Sequence, residues 1–227
     1  MKVVVMIPSR LASSRFPNKP LAKIRGREMI LHVCDRVLAS GYEPIVVTPD
    51  KRIADLVDLE NYGYIITGDC CTGTDRVAEA AKQVSADIFV NVQGDEPVVR
   101  IEDIQAVVKA KTKHPDCVIG SMQILNRNGP NVVKVMCNAG QLIDMTREGY
   151  ARFAQCGLYA FNKRELYEFY SVPDEFKKES LRDHENIELM RFVDLGMGVR
   201  MVEVQGSPAV DIPDDIKTVM EVMNHGR

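Results

Sequence analysis

The first half of the chain alternates short apolar runs with amphipathic stretches in which apolar residues recur at helical spacing. Alternation of this kind is typical of an α/β fold, in which helices cover both faces of a parallel sheet. We therefore predict a doubly wound, mostly parallel sheet. The predicted strands are 3–7, 44–48, 64–67, 88–92 and 117–124, and the predicted helices are 29–39, 51–59, 75–84 and 101–113.

The second half is less regular, and its pattern predicts a small α+β appendage to the same domain, 1–227. The polar stretch 144–154 is predicted to be a loop that reaches outward. Gly196 is placed to end a long helix as a C-cap glycine would. The predicted strands are 132–137, 157–161 and 198–204, and the predicted helices are 164–170, 179–195 and 213–223.

Composition excludes several classes of protein. The chain has 227 residues, of which 45% are hydrophobic and 27% charged, as in ordinary globular domains. Its net charge of −3 offers no broad basic field for nucleic acid, so we expect no nucleic-acid partner. None of the six cysteines forms a C-x-x-C pair. No signal peptide or membrane-length apolar run is apparent, and we expect a cytoplasmic protein without a membrane partner.

The segment after the first predicted strand, 7–21, concentrates cations. Arg10, Arg15 and Lys19 are interspersed with the hydroxyl residues Ser9 and Ser13, and the segment contains no glycine. It is therefore neither a P-loop nor a glycine-rich dinucleotide turn. Arginine pairs with phosphate oxygens through two parallel hydrogen bonds, and lysine supplies a point charge. Composition alone leaves two alternatives open, a phosphate-binding loop and a solvated surface loop.

A carboxylate follows the fourth predicted strand. Asp95 lies in the turn after 88–92, at the sheet edge that also carries 7–21. Mg²⁺ in proteins is typically bound by one or two carboxylates together with phosphate oxygens and water. The residue types alone are equally compatible with an aspartate that caps its own turn.

These two segments resemble one family. Segment 9–21 resembles the pattern A/S-R-x-x-S-x-R-L/F-P-x-K-x-L of sugar nucleotidyltransferases, most closely the 3-deoxy-manno-octulosonate cytidylyltransferase (CMP-Kdo synthetase) family. Segment 91–97 matches the family's N-V-Q-G-D-E-P without a change. The resemblance implies a Rossmann-like nucleotidyltransferase fold and a loop that wraps the triphosphate. It implies that the nucleotide is contacted by Ser9, Arg10, Ser13, Arg15 and Lys19. It also implies that Arg10, Lys19 and Asp95 are the catalytic residues.

The same resemblance implies a magnesium site and a base site. Asp211, in the segment 209–215 that resembles G-V-D-T-P-E-D, takes the position of the second metal carboxylate beside Asp95. Asp214 and Asp215 are assigned instead to the first turn of the last helix, where negative charge is favourable. Segment 71–76 resembles the S-G-T-D/E-R run near the cytosine and ribose, which adds Thr72, Gly73, Arg76 and Gln93 to the nucleotide site. Thr74 is expected to cap the helix that follows.

The match weakens around the sugar. Segment 131–135 resembles N-x-V-K-V, and 145–147 falls on F-S-R, which implies that Arg147 binds the sugar carboxylate. The long excursion that follows in the family is largely missing, Gln155 stands where the family has histidine, and Leu189 replaces a glutamine. The changes cluster on the sugar side, so we expect the acceptor to differ from that of the typical family member. The sugar-binding residues implied are Gln93, Arg147, Gln155, Tyr159 and Glu188, and segment 130–195 is assigned to sugar binding and dimerisation.

Together these features predict a Mg²⁺-dependent cytidylyltransferase of lipopolysaccharide biosynthesis. It would transfer CMP from CTP to the anomeric hydroxyl of an acidic 3-deoxy-ulosonic sugar, Kdo or a close relative, and release pyrophosphate. A homodimer is expected from the resemblance. Two alternatives stay open: a nucleotidyltransferase for another acidic sugar, such as a sialic-acid-like nonulosonate, and a non-catalytic nucleotide-binding homologue.

Overall fold

Nine strands pair into one sheet in the order β5-β4-β1-β6-β10-β7-β11-β9-β8. The computed structural model describes residues 1–13, 15–125, 129 and 132–225. The strands are β1 Val3–Pro8, β2 Lys23–Ile24, β3 Arg27–Glu28, β4 Pro44–Thr48, β5 Gly63–Ile66, β6 Ile88–Val92, β7 Val118–Ile124, β8 Lys134–Asn138, β9 Gln141–Thr146, β10 Phe153–Phe161 and β11 Val199–Glu203. The helices are α1 Met29–Ala39, α2 Lys51–Leu59, α3 Gly73–Ala81, α4 Ile101–Lys113, α5 Lys163–Tyr170, α6 Asp174–Asp183, α7 Met190–Asp194 and α8 Asp215–His225.

Successive side chains of the central strands enter two different cores, as the two-residue period of a strand requires. In β1, Val4 and Met6 pack with residues of α3, α5 and α7, whereas Val5 and Ile7 pack with α1, α2 and α4. Helices therefore cover both faces of the sheet, which confirms the α/β prediction. No helix among the described residues combines the length and apolar character that a bilayer crossing requires.

The sheet is mixed, so the prediction of a mostly parallel sheet with a small α+β appendage needs correction. Strands β5, β4, β1 and β6 are parallel, but β10 runs antiparallel to each of its partners β6, β7 and β8. Strand β8 also pairs with β9, β9 with β11, and β11 with β7. The five strands β7, β8, β9, β10 and β11 therefore close into a barrel-like ring. The second half thus extends the first sheet. An apolar run reveals that a strand is buried, but neither its direction nor its neighbours.

Three local predictions also need correction. Segment 144–154, expected to be an outward loop, contains the end of β9 and the start of β10. The helix predicted at 179–195 is interrupted, because Glu185 and Asn186 both adopt positive φ angles, 53° and 62°, that end α6 before α7 begins. The strand predicted at 132–137 begins at Lys134, and Asn131 lies outside the described residues. Gly196, with φ of 71°, ends α7 as predicted.

Candidate active site

The loop after β1 folds back over the carboxyl edge of the sheet. The backbone N–H of Leu11 donates to Asp50 Oδ2 over 2.7 Å, and that of Asn18 donates to the Leu11 carbonyl over 3.2 Å. Asn18 adopts a left-handed conformation, with φ of 56°, which leads into a short 3₁₀ turn at Lys19–Leu21. The loop is thereby closed at its base, and Lys19 returns to the end of β6.

Two ion pairs fasten this loop to the two candidate metal carboxylates. Lys19 Nζ lies 2.6 Å from Asp95 Oδ2 and 2.8 Å from the Val210 carbonyl oxygen. Arg15 Nη2 lies 2.9 Å from Asp211 Oδ1. The Val210 N–H also donates to the Asp95 carbonyl over 2.9 Å, so the segment before α8 lies directly against the turn after β6. Residues that are 116 positions apart in the chain, Asp95 and Asp211, therefore converge at one edge.

A cavity of about 340 Å³, which we call the loop cavity, opens beneath the β1 loop. One of its polar groups is unsatisfied: Ser9 Oγ is buried and has no hydrogen-bond partner among the described residues. Buried hydroxyls are normally paired, so this one is available to a ligand. All nine residues predicted to contact the nucleotide line the cavity: Ser9, Arg10, Ser13, Arg15, Lys19, Thr72, Gly73, Arg76 and Gln93.

Glycine at position 94 permits the close approach of two loops beside this cavity. A Cβ atom on Gly94 would lie 2.9 Å from the Pro8 carbonyl oxygen, closer than side-chain carbons come to backbone. Asp95 can therefore lie beside the end of β1 only because the preceding residue has no side chain.

The α3 N-terminus supplies the second wall. Thr72, not Thr74 as predicted, caps this helix: its Oγ1 accepts from the Asp75 N–H over 3.0 Å. Thr74 is buried two residues further on, and its N–H donates to Glu188 Oε2. Arg76 is also buried, and its Nη1 donates to the Gly68 carbonyl over 3.0 Å. Arg76 therefore fastens α3 to the loop after β5 while it lines the cavity.

A second cavity, of about 510 Å³, opens on the other side of Asp95 within the closed part of the sheet. We call it the sheet cavity. Three predicted sugar-binding residues line it, Gln93, Gln155 and Tyr159, and Asp211 lies on its wall. Gln155 Nε2 donates to the Tyr159 hydroxyl. The described lining contains amides, hydroxyls and carboxylates but no lysine, arginine or histidine.

Two predicted sugar-binding residues lie elsewhere. Arg147 does not line the sheet cavity: its Nε donates to the Glu185 carbonyl over 3.1 Å, at the break between α6 and α7. Glu188 lies behind Gln93, and its Oε1 accepts from Gln93 Nε2 over 3.3 Å. Burial raises the pKa of Glu188, and the hydrogen bond from the Thr74 N–H opposes that shift. The structure thus brings three of the five together in one cavity.

Comparison with known proteins identifies the family. Residues 4–200 match the family model described as cytidylyltransferase. A 3-deoxy-manno-octulosonate cytidylyltransferase of Trichlorobacter lovleyi is 34% identical over 256 aligned positions, covering 100% of both chains. This chain belongs to the CMP-Kdo synthetase family. An 8-amino-3,8-dideoxy-manno-octulosonate cytidylyltransferase of Shewanella amazonensis is 33% identical, with 96% of each chain covered.

Solved structures show the same family and the same fold. A CMP:2-keto-3-deoxy-manno-octonic acid synthetase complexed with CTP superposes with a TM-score of 0.88 at 30% identity, over 100% of both chains. The inositol-1-phosphate CTP transferase from T. maritima, at 15% identity and a TM-score of 0.73 over 99% of this chain and 95% of its own, shares the fold alone. The resemblance found in the sequence is therefore confirmed, and the chain is a CMP-Kdo synthetase-like nucleotidyltransferase.

In this member of the CMP-Kdo synthetase family, sequence reasoning missed the role of Glu96. Its buried carboxyl accepts from the Gly157 N–H over 2.9 Å and from Ser207 Oγ over 3.3 Å. Burial, with a smaller contribution from the charge of Asp95, raises the pKa of Glu96 to about 8. A Cβ on Gly157 would lie 2.3 Å from Glu96 Oε1. Glu96 lies inside the matched segment 91–97, next to Asp95, but its partner Gly157 lies on β10, and no local signal indicates that pairing.

Two further contacts of this CMP-Kdo synthetase relative were also missed. Arg191 on α7 forms a bidentate pair with Asp75 on α3, at 2.7 and 3.2 Å, and both side chains are fully buried. Asp215, predicted only to favour the helix dipole, has a more specific role: its Oδ2 accepts from the backbone N–H groups of Asp211 and Ile212, at 2.8 and 2.9 Å. Asp215 thereby holds the turn that presents Asp211.

Proposed function

We propose that this protein transfers CMP from CTP to the anomeric hydroxyl of Kdo or a close relative and releases pyrophosphate. The proposal depends on one observation above all. Three cations of the β1 loop and two carboxylates from distant segments meet around one pair of adjoining cavities. That arrangement suits a nucleoside triphosphate on one side and an acceptor on the other.

The loop cavity would hold the nucleotide. The solved relative described above is complexed with CTP. In this chain Arg10, Arg15 and Lys19 would neutralise the phosphates, and the unsatisfied hydroxyl of Ser9 would donate to one of them. Thr72 and Gly73, at the start of α3, would lie against the ribose and base, with Arg76 fixing that wall.

Mg²⁺ is proposed as the cofactor, held by Asp95 and Asp211. The donor set fits: two carboxylates share one cavity wall, and Mg²⁺ commonly takes one or two carboxylates with phosphate oxygens and water. Among the described residues, no group of three or more histidine, cysteine or acidic side chains could hold a metal alone, which agrees with a site completed by the nucleotide. When bound, the ion would polarise the α-phosphate.

The residues themselves would act by position and charge. The acceptor's anomeric hydroxyl would attack the α-phosphorus in line, and the bond to the pyrophosphate oxygen would break. Lys19, Arg10 and Arg15 would stabilise the charge that accumulates on the departing pyrophosphate. Asp95 lines both cavities, which is where the two reacting groups would meet.

The acceptor would occupy the sheet cavity, between Gln155, Tyr159 and the shared wall. Relatives of similar identity are described as acting on Kdo and on 8-amino-3,8-dideoxy-Kdo, and this chain departs from the family pattern at Gln155 and Leu189. Those departures support an acceptor that is a relative of Kdo. Segment 130–195 would contribute sugar binding within a single domain of 1–227, and dimerisation, which light scattering of the purified protein would test.

A pyrophosphate-release assay tests the proposal. CTP is supplied with Kdo, 8-amino-3,8-dideoxy-Kdo or N-acetylneuraminate, each with and without Mg²⁺, and UTP, GTP and ATP serve as controls. We expect CTP-specific, Mg²⁺-dependent release with at least one octulosonate. Release only with the nonulosonate would favour the sialic-acid-like alternative. Tight CTP binding without release on any acid would favour the non-catalytic homologue and refute the proposal.

A further inference from the structure

Gln93 occupies a particular place in this site. Together with Asp95, it is one of the two described residues that line both the loop cavity and the sheet cavity. Its side-chain amide has two chemically different ends, an N–H₂ donor and a carbonyl acceptor. Which end faces the substrates therefore decides what kind of group the junction can bind.

Glu188 determines that orientation. Its Oε2 accepts from the Thr74 N–H over 3.0 Å, and its Oε1 accepts from Gln93 Nε2 over 3.3 Å. Both carboxyl oxygens of Glu188 thus accept hydrogen bonds, so the N–H₂ end of Gln93 is the end that faces it. The opposite end, Gln93 Oε1, receives no hydrogen bond from a described residue. Because Gln93 lines both cavities, this oxygen is available to a substrate donor.

The aliphatic part of the Gln93 side chain is tightly packed, which limits its freedom to adopt another conformation. Its backbone N–H donates to the Gly157 carbonyl over 3.2 Å. A Cβ on Gly157 would lie 2.6 Å from Gln93 Cγ, so the stem packs directly on the β10 backbone. On the other side, Gly73 lies close to the amide, since its Cβ would be 3.7 Å from Gln93 Nε2. The side chain is thus confined between two glycines.

We propose that Glu188 is a positioning residue, which fixes the Gln93 amide so that Gln93 Oε1 accepts a hydrogen bond from a substrate hydroxyl at the junction of the two cavities. The inference rests on the proposed function and assigns Glu188 a role other than the direct sugar contact that the family resemblance implies. Glu188 lines neither cavity. It acts through Gln93, on the position of the acceptor and not on the affinity for CTP.

The test is a double-mutant cycle of Glu188→Gln and Gln93→Met. Glu188→Gln introduces N–H donors, and because Thr74 still requires an oxygen, those donors face position 93. The Gln93 amide should then turn and present Nε2 to the junction. We expect the KM for the sugar to rise about tenfold, the equivalent of one well-placed hydrogen bond, while the Kd for CTP is unchanged. In the Gln93→Met background, Glu188→Gln should cause no further rise in the KM for the sugar.

Glu79→Gln is the matched control. Glu79 also accepts a backbone N–H bond beside α3, from Gly68 over 2.8 Å, but it lines neither cavity. It should leave the sugar KM unchanged. If Glu188→Gln raises the sugar KM by the same factor in the Gln93→Met background as in the wild type, the role of Glu188 is structural and the inference is overturned. A parallel loss of CTP binding would overturn it as well.

A readout independent of turnover separates this inference from the proposed function. In ¹⁵N-labelled protein, the side-chain amide signal that disappears in Gln93→Met belongs to Gln93. Glu188→Gln should shift it and Glu79→Gln should not; an unshifted signal refutes the orientation even if the wild-type protein transfers no CMP. If Glu188→Gln does not fold, Gln93→Glu is the alternative variant. It places a second carboxyl opposite Glu188, so that two acceptor groups face each other. A Gln93→Glu variant with wild-type kinetics and an unshifted Thr74 amide would equally refute the inference.

Discussion

The two cavities on either side of Asp95 are built in different ways. The loop cavity takes its side chains from three short segments that follow β1, β5 and β6, parallel strands whose carboxyl ends share an edge. The sheet cavity shares the turn after β6, but most of its lining comes from β7, β10 and the segments before β8 and α8. Antiparallel pairing and barrel-like closure bring these parts together. Chemistry that lies in contiguous loops can be recognised locally, whereas chemistry assembled by strand pairing cannot.

The cavities also differ in charge. The loop cavity holds cations, two of which already pair with carboxylates, whereas the described lining of the sheet cavity offers amides, hydroxyls and acids. Substitutions on one side should therefore change the kinetics of one substrate, and substitutions on the shared wall should change both.

Asp95→Asn alters the shared wall and should have the largest effect. It removes one candidate metal carboxylate and the partner of Lys19, so we expect turnover to fall roughly 1,000-fold. The protein should remain folded by circular dichroism. Asp214→Asn, at an exposed position paired with Lys217, should keep wild-type turnover. Turnover retained in Asp95→Asn would exclude this residue from the reaction centre.

Arg191→Met tests the buried ion pair that joins α7 to α3. It would leave the Asp75 carboxylate buried without its cation, and we expect the free energy of unfolding in urea to fall by about 3 kcal/mol. Lys217→Met, which breaks an exposed ion pair, should leave the urea midpoint unchanged. An Arg191→Met protein as stable as the wild type would show that the α3–α7 contact is dispensable.

Asp215→Ala tests whether the turn at Asp211 needs its two accepted hydrogen bonds. Groups that orient a metal ligand typically change metal affinity by 10- to 100-fold when lost, and we expect the Mg²⁺ concentration for half-maximal rate to rise about tenfold. The KM for CTP at saturating Mg²⁺ should stay unchanged. Asp214→Ala is the adjacent control, and an equal effect there would mean that helix charge, and not positioning, is responsible.

Gln155→Ala should have the smallest effect, confined to the sheet cavity. It removes the amide that donates to the Tyr159 hydroxyl. Gln155 is also a predicted sugar contact, and loss of one neutral hydrogen bond to the sugar corresponds to about 1 kcal/mol. We therefore expect the KM for the sugar to rise roughly fivefold with CTP kinetics unchanged. An equal change in the KM for CTP would contradict the separation of the two cavities.

The sequence allowed accurate prediction of several regular elements of the first half, and it named residues that the fold brings into one cavity. The bounds of α1, β4, α2, β6 and α4 are predicted to the residue, because each is one uninterrupted apolar pattern. The nine predicted nucleotide contacts share a cavity because parallel strands deliver them to one edge. Arg147 and Glu188 lie outside both cavities, since the β8–β9 hairpin and the break between α6 and α7 determine where they are, and neither follows from a local pattern.

The middle of β10 has no room for a side chain at one position. At Gly157 the strand has no side chain, and two neighbours from the β6 turn, the Gln93 stem and the Glu96 carboxyl, occupy that space. A single added methyl group would compete with both at once. A substitution at position 157 would therefore disturb the lining of both cavities together through Gln93, although glycine has no side-chain chemistry of its own.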